Sequence, residues 1–213
     1  MSRELTLEEN RGLLRELIRR LESAGLATTI RLLGGGAAIA LSGHSRRVAR
    51  DVDASYSATD TVEQIVAAIA DERGLPANWL NSSAAALIPS GATWNEINRG
   101  DGHHAFVASL DMLLAMKLSS ARQRDMEDIS FLVAALGIED PNEAVRIAEE
   151  LYTDDDGADS PVSREDARIV ALEALEQARR DEIQPVPRGF WKLCSRISSC
   201  RCSFASSSAV LDW

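Results

Sequence analysis

The spacing of hydrophobic positions changes several times along the chain, and each change marks an element. Leu13, Leu14, Leu17, Ile18 and Leu21 recur every three or four residues behind a Thr6/Glu9 pair, which predicts a capped amphipathic helix stopping near Gly25. "ATTIRLL" is apolar and β-branched, so a strand is predicted that runs into three consecutive glycines, Gly34, Gly35 and Gly36. "AAIAL" then reads as a short helix beginning at Gly36. In "DVDASY" the period falls to two, which sets Val52 and Ala54 on one face of a strand and Asp51 and Asp53 on the other.

Asp60 and Glu63 cap a third element, "VEQIVAAIADERG", with Ile65, Ala68 and Ile69 as its expected buried stripe. "LPANWLNSSAAALIPSG" is turn-rich and has no clear period. "HAFVASL" reads as a strand, and "DMLLAMKLSSARQRDMEDISFLVAALG" as one long helix or two joined near Ser119 to Gln123. Asp140, Pro141 and Glu143 open a helix that continues to about Tyr152, "TDDDGADSP" is a solvated linker, and Ser163 with Asp166 opens a last amphipathic helix. From Gln184 onward Pro, Ser, Cys and Arg dominate without periodicity, as in a disordered tail or a non-native extension. The element order is α+β with a small sheet, divided as 1–137, a C-terminal helical region 138–183, and the tail 184–213.

Composition narrows the function classes. A formal net charge of -10 argues against generic coating of nucleic acid and leaves room only for local basic patches. No apolar run approaches the roughly 20 residues of a membrane-spanning helix, and "MSRELTLEEN" lacks the apolar core of a signal peptide, so a cytoplasmic protein with no membrane partner is expected. Cys194, Cys200 and Cys202 all fall in the tail at spacings that suit neither a disulfide framework nor a zinc pair.

The candidate chemistry lies between Arg31 and Tyr56. Glycines between a strand and a helix offer backbone N–H groups to a phosphate, or simply make a tight turn. A Walker loop would need Gly-Lys-Ser/Thr, and a dinucleotide fingerprint would need Gly or Ala at Ile39, so neither motif is present. Alternate strand residues lie about 6.6 Å apart on one face, which lets two carboxylates converge on divalent cations; the competing reading of Asp51 and Asp53 is a solvent-facing strand edge. A glycine turn, a helix and then an acidic strand, in that order, describe a nucleotidyl-transfer site. Lys117, Arg122, Arg124, Asp125 and Asp128 form a second charged cluster. If helical, Lys117, Arg124 and Asp128 share one stripe, which is either a salt-bridged solvent face or a phosphate-attracting rim together with Arg46, Arg47 and Arg50. His103 and His104 read as an exposed loop pair before a strand, His44 as a lone residue among the arginines, and Trp79 and Trp94 as packing residues rather than base-stacking ones.

Gly35-Gly36 with "AAIAL", then Arg47 and "DVD", then "LLAMKL" and "ARQRDMEDI", resembles the minimal nucleotidyltransferases of the AbiEii type, which include toxins of type IV toxin–antitoxin systems. The likeness spans Arg31 to Leu136 in separate blocks. It implies a DNA polymerase β-like nucleotidyltransferase fold over residues 1–137, Mg²⁺ dependence, an NTP donor, an RNA acceptor such as a tRNA 3′ end, and a cognate antitoxin partner. Carried over residue by residue, it implies that Gly35 and Gly36, flanked by Arg47 and Arg50, hold the triphosphate and that Asp51 and Asp53 bind metal. Lys117 would neutralise phosphate charge beside Arg124, and Asp128, with Asp125 as a second candidate, would supply the helical acid. Polymerase-type members carry a third carboxylate on a neighbouring strand, where "HAFVASL" has none. A catalytically silent, nucleotidyltransferase-like binding subunit is the alternative.

Overall fold

The computed structural model describes residues 4–34, 37–39, 51–57, 59–100, 103–120, 122–152 and 163–183. Helix α1, Leu7–Ser23, opens on the capping box read from its sequence. Glu9 N–H donates to Thr6 Oγ1 at 3.3 Å, and Thr6 N–H donates back to Glu9 Oε2 at 2.8 Å. Strand β1, Thr28–Gly34, leads to residues 37–39, which are helical and fully buried at Ala37, Ala38 and Ile39. Strand β2, Val52–Tyr56, is followed by helix α2, Thr59–Arg73.

The turn-rich segment contains a two-residue strand β3, Leu80–Asn81, and a single helical turn, Ala85–Leu87. Strand β4, Trp94–Gly100, was not legible in the sequence, because "WNEINRG" carries only two large apolar residues and a bulge interrupts their alternation between Glu96 and Asn98. Strand β5, His103–Ala108, begins earlier than the pattern suggested. The two histidines therefore belong to a strand rather than to a loop.

Helices α3, Leu110–Ser120, and α4, Met126–Leu136, are separate, joined through a short turn of helix at Gln123–Asp125. Helices α5, Pro141–Leu151, and α6, Arg164–Arg180, follow, capped by Asp140 and Ser163 respectively. Packing joins α3 to α5, α4 to α6 and α5 to α6, and all of them contribute to one continuous apolar core with the sheet. The buried stripe of α2 is Val62, Val66, Ile69 and Ala70, whereas Ala68 is exposed and Ile65 only half-buried. The stripe is thus rotated by one position from the expected one, so that Val66 rather than Ile65 meets the core.

Among the described residues the strands form one mixed sheet in the order β3-β2-β1-β5-β4. β1 runs antiparallel to β2 and parallel to β5, so Gly34 faces Asp53 in register and Arg31 sits between Ser55 and Phe106. Ile30, Leu32, Val52, Ala54, Ala105 and Val107 bury one face. Strand alternation sends Arg31, Asp53, Ser55, His104 and Phe106 to the other. This is the α+β arrangement with a small sheet that the element order predicts. Among the described residues no helix is long and apolar enough to cross a membrane. The linker, the tail and its cysteines lie outside them.

The loop before β4 is fastened to the end of α5. Gly91 N–H donates to Leu151 O at 2.9 Å, and Tyr152 Oη donates to Leu87 O at 2.9 Å. A Cβ at Gly91 would stand 3.1 Å from Leu151 O and 3.2 Å from Leu151 Cα, both backbone atoms that cannot swing aside. Gly91→Ala is expected to lower the unfolding free energy by about 1–3 kcal/mol, read from urea denaturation, with an unchanged m-value.

Candidate active site

Val52 and Ala54 are committed to the core, so the acids that flank Val52 must turn the other way. Asp51 immediately precedes β2 and Asp53 lies within it; both are half-buried. Asp51 is held by Asn81, whose Nδ2 donates to Asp51 Oδ2 at 3.4 Å while its Oδ1 accepts Ser83 N–H at 3.0 Å. Asn81 stands in parallel register with Asp53 on the adjacent strand.

What positions that short strand is Trp79. Its ring is fully buried, its Nε1 donates to Val66 O of α2 at 3.1 Å, and its carbonyl accepts Val52 N–H at 2.7 Å. Sequence reading missed Asn81. The signal available was an Asn directly before two serines, but its strand is too short to show a period.

The carboxyl of Asp53 is held above the ordinary carboxylate range, first by burial and second by the charge of Asp51. Lys117, Arg122 and Arg124 lie close enough for their charge to oppose that rise. The acidic strand and the second charged cluster, 60 and more residues apart in the chain, therefore act on one another.

Within that cluster the helix break decides the pairing. Lys117, in the last turn of α3, donates to Asp125 Oδ1 at 2.6 Å and lies 3.0 Å from Asp128 Oδ2. Ser120 Oγ adds a bond to Asp125 Oδ2 at 3.3 Å. Asp128 is fully buried and Asp125 nearly so. The single stripe expected for Lys117, Arg124 and Asp128 does not form, because the turn at Gln123–Asp125 reorients the chain and leaves Arg124 exposed. Asp125, not Arg124, is the residue brought to Lys117.

Gly35, Gly36, Arg47 and Arg50, with Arg46, His44 and Ala49, lie outside the described residues. Gly34, the described glycine of the three, is the residue that faces Asp53. Among the described residues no group of three or more metal-ligating side chains is gathered. Asp51 and Asp53 nonetheless form a hard oxygen donor pair whose mutual repulsion a divalent cation would relieve, and in that respect the residues fit magnesium.

Two carboxylates are thus turned away from the core beside a glycine-bearing strand end, with Lys117, Arg122 and Arg124 within electrostatic reach of Asp53. The chain belongs to the family described as "Nucleotidyltransferase of unknown function (DUF6036)", whose model matches residues 13–140 and so takes in every described residue of this site. Membership supports nucleotidyl transfer at the level of the family. No curated protein matches the chain, and no solved structure does.

Two measurements follow from the electrostatics. The folded protein binds the Asp53 proton more tightly than the unfolded chain does, so this group's contribution to stability falls as pH rises through its raised folded pKa. In metal-free buffer Asp53→Asn is expected to melt above the wild type at neutral pH, with the difference closing below about pH 4, the range of an unperturbed carboxyl. Lys117→Met removes the cation that faces two buried carboxylates and is expected to cost about 3–5 kcal/mol in chemical denaturation.

Proposed function

We propose that this chain is a Mg²⁺-dependent nucleotidyltransferase that moves NMP from an NTP to an acceptor, most suitably RNA at a tRNA 3′ end. The observation that carries the reading is the acid pair: Asp51 and Asp53 are half-buried and turned to one side of the sheet, and Asp53 lies under the charge of Lys117, Arg122 and Arg124. A plain solvent-facing strand edge would also turn its acids to one side, but would not require the charge of Lys117, Arg122 and Arg124 on Asp53.

In the proposed reaction an acceptor hydroxyl oxygen bonds to the α-phosphorus, the bond from that phosphorus to the bridging oxygen breaks, pyrophosphate departs, and the hydroxyl proton passes to solvent. Asp51 and Asp53 would hold magnesium, which supplies Lewis-acid stabilisation of the phosphoryl oxygens when bound. Asn81 keeps Asp51 oriented, and Asp125 with Asp128 keeps the Lys117 ammonium in position toward the acids. Gly35 and Gly36, with Arg47 and Arg50, are the proposed triphosphate contacts, and Arg124 is a proposed rim contact. The AbiEii-type likeness suggests a cytoplasmic toxin restrained by a cognate antitoxin, and the division at residues 137 and 183 into a catalytic unit, a helical region and a tail belongs to the same proposal.

One observation favours a second reading, a silent binding subunit of such a complex. The residue in register with Asp53 on β3 is an amide, Asn81, rather than a third carboxylate. Two measurements separate the readings: label transfer by the full chain with labelled NTPs, Mg²⁺ and total RNA, and capture of a partner protein by the same chain. The enzyme reading expects label on RNA, reduced at least about 100-fold in Asp51→Ala and in Asp53→Ala, the scale of the several kcal/mol a catalytic metal contributes. Transfer that persists in both variants overturns the assignment. No transfer by the wild type, with partner capture equal in wild type and variants, selects the silent subunit.

A further inference from the structure

The sheet face that carries Asp53 continues across β1, β5 and β4, and there it changes character. Arg31 is exposed, with its guanidinium carbon 5.8 Å from the Trp94 ring centroid and 5.9 Å from that of Phe106. The His104 ring lies 6.2 Å from Phe106 at 20° between planes, and its Nδ1 is 3.1 Å from Glu96 Oε1. Trp94, Phe106, His104 and Glu96 are all half-buried. Arg31 has no carboxylate partner among the described residues, although the chain carries a net charge of -10.

A guanidinium laid on two rings and left without an anion has chemistry for two kinds of group at once. The rings and the planar cation stack a nucleobase, and the charge meets the phosphate attached to it. Trp94 pairs with Ala108 and Asp53 with Gly34, so both stand toward the end of the sheet where the parallel strands β1 and β5 finish. They are three strand spacings apart, about 14 Å, which suits a nucleotide adjoining the reacting one rather than the reacting one itself. Stacking requires an unpaired base, so a duplex does not suit the ledge.

We infer that Arg31, Trp94 and Phe106 form a stacking ledge for the single-stranded end of the nucleic-acid acceptor. The inference rests on the nucleotidyltransferase reading for its choice of ligand, yet its test needs neither metal nor NTP. The full chain is titrated into a fluorescently labelled, mixed-sequence single-stranded oligoribonucleotide in EDTA, and anisotropy is followed. Trp94→Ala and Arg31→Ala are each expected to raise the Kd about tenfold, within the range for losing one base stack. Trp94→Phe, which keeps a ring, is expected to bind nearly as the wild type does. Arg31→Lys, which keeps the charge on an exposed position and loses the plane, should weaken binding severalfold with an unchanged melting temperature, so misfolding cannot imitate the result. Equal Kd values throughout, or no binding by the wild type, overturn the ledge. Weakened binding of Mg-ATP with the oligonucleotide unaffected also overturns it, by assigning the rings to the donor. Failure of label transfer in the catalytic assay leaves this titration unchanged, so the two readings fail separately.

Discussion

The arrangement depends on the commitment of Val52 and Ala54 to the apolar core. Both are essentially inaccessible, and burying side chains of that kind is worth on the order of 1–3 kcal/mol for the larger one alone. A one-residue slip of β2 would expose them and drive Asp51 and Asp53 inward, where unmatched carboxylates are far more costly than lost methyl contacts. The register is therefore fixed from two sides. What it fixes is a pair of like charges on the open face, half-shielded from water, with Asp53 paying for that position in a raised affinity for protons. Such a pair opposes folding, and a cation bound between the two acids would relieve that repulsion.

Cations within the protein supply part of that compensation without consuming the pair. Lys117 is already matched by Asp125 and Asp128, so its ammonium is held in a fixed position and does not collapse onto Asp53. The helix break between α3 and α4 makes this possible, because a continuous helix would carry Lys117 and Asp125 eight residues apart, more than two turns along its axis. A lysine anchored this way influences Asp53 through space while remaining separate from it. The asymmetry leaves the acid pair without an ion pair to Lys117.

The elements legible in the sequence were those whose pattern is enforced locally. Thr6 with Glu9, Asp140 with Pro141, and Ser163 with Asp166 each satisfy orphan N–H groups within four residues, so the helix starts they imply appear in the structure. "DVDASY" was legible because two-residue alternation has one buried face only. β3 and β4 were not, since Leu80–Asn81 is too short for a period and Trp94–Gly100 bulges out of one. At the site, the acids could be read as a pair from spacing alone, whereas Asn81, the Lys117–Asp125 contact and the Arg31 ledge depend on strand order and on a chain reversal. These are tertiary facts. The single stripe of Lys117, Arg124 and Asp128 fails for the same reason, since it presumes a continuous helix that the turn at Gln123–Asp125 interrupts.

Charge distribution resolves how so acidic a chain could handle polyanions. On the helices most described arginines are spent on neighbouring glutamates: Arg19 and Arg20 on Glu16, Arg20 also on Glu72, Arg146 on Glu150, Arg164 on Glu149, and Arg168 on Glu165. The exposed pairs among these add only about 0–1 kcal/mol each, but all of them offset the field of both partners. Arg31, Arg122 and Arg124, like Arg15, Arg73, Arg179 and Arg180 on the helices, have no carboxylate partner among the described residues. Arg122 and Arg124 bear on Asp53, and Arg31 shares its sheet face. Three cations without a carboxylate partner thus stand on the side of the sheet that carries the acid pair, and the net charge of the whole chain says little about the potential a ligand meets there.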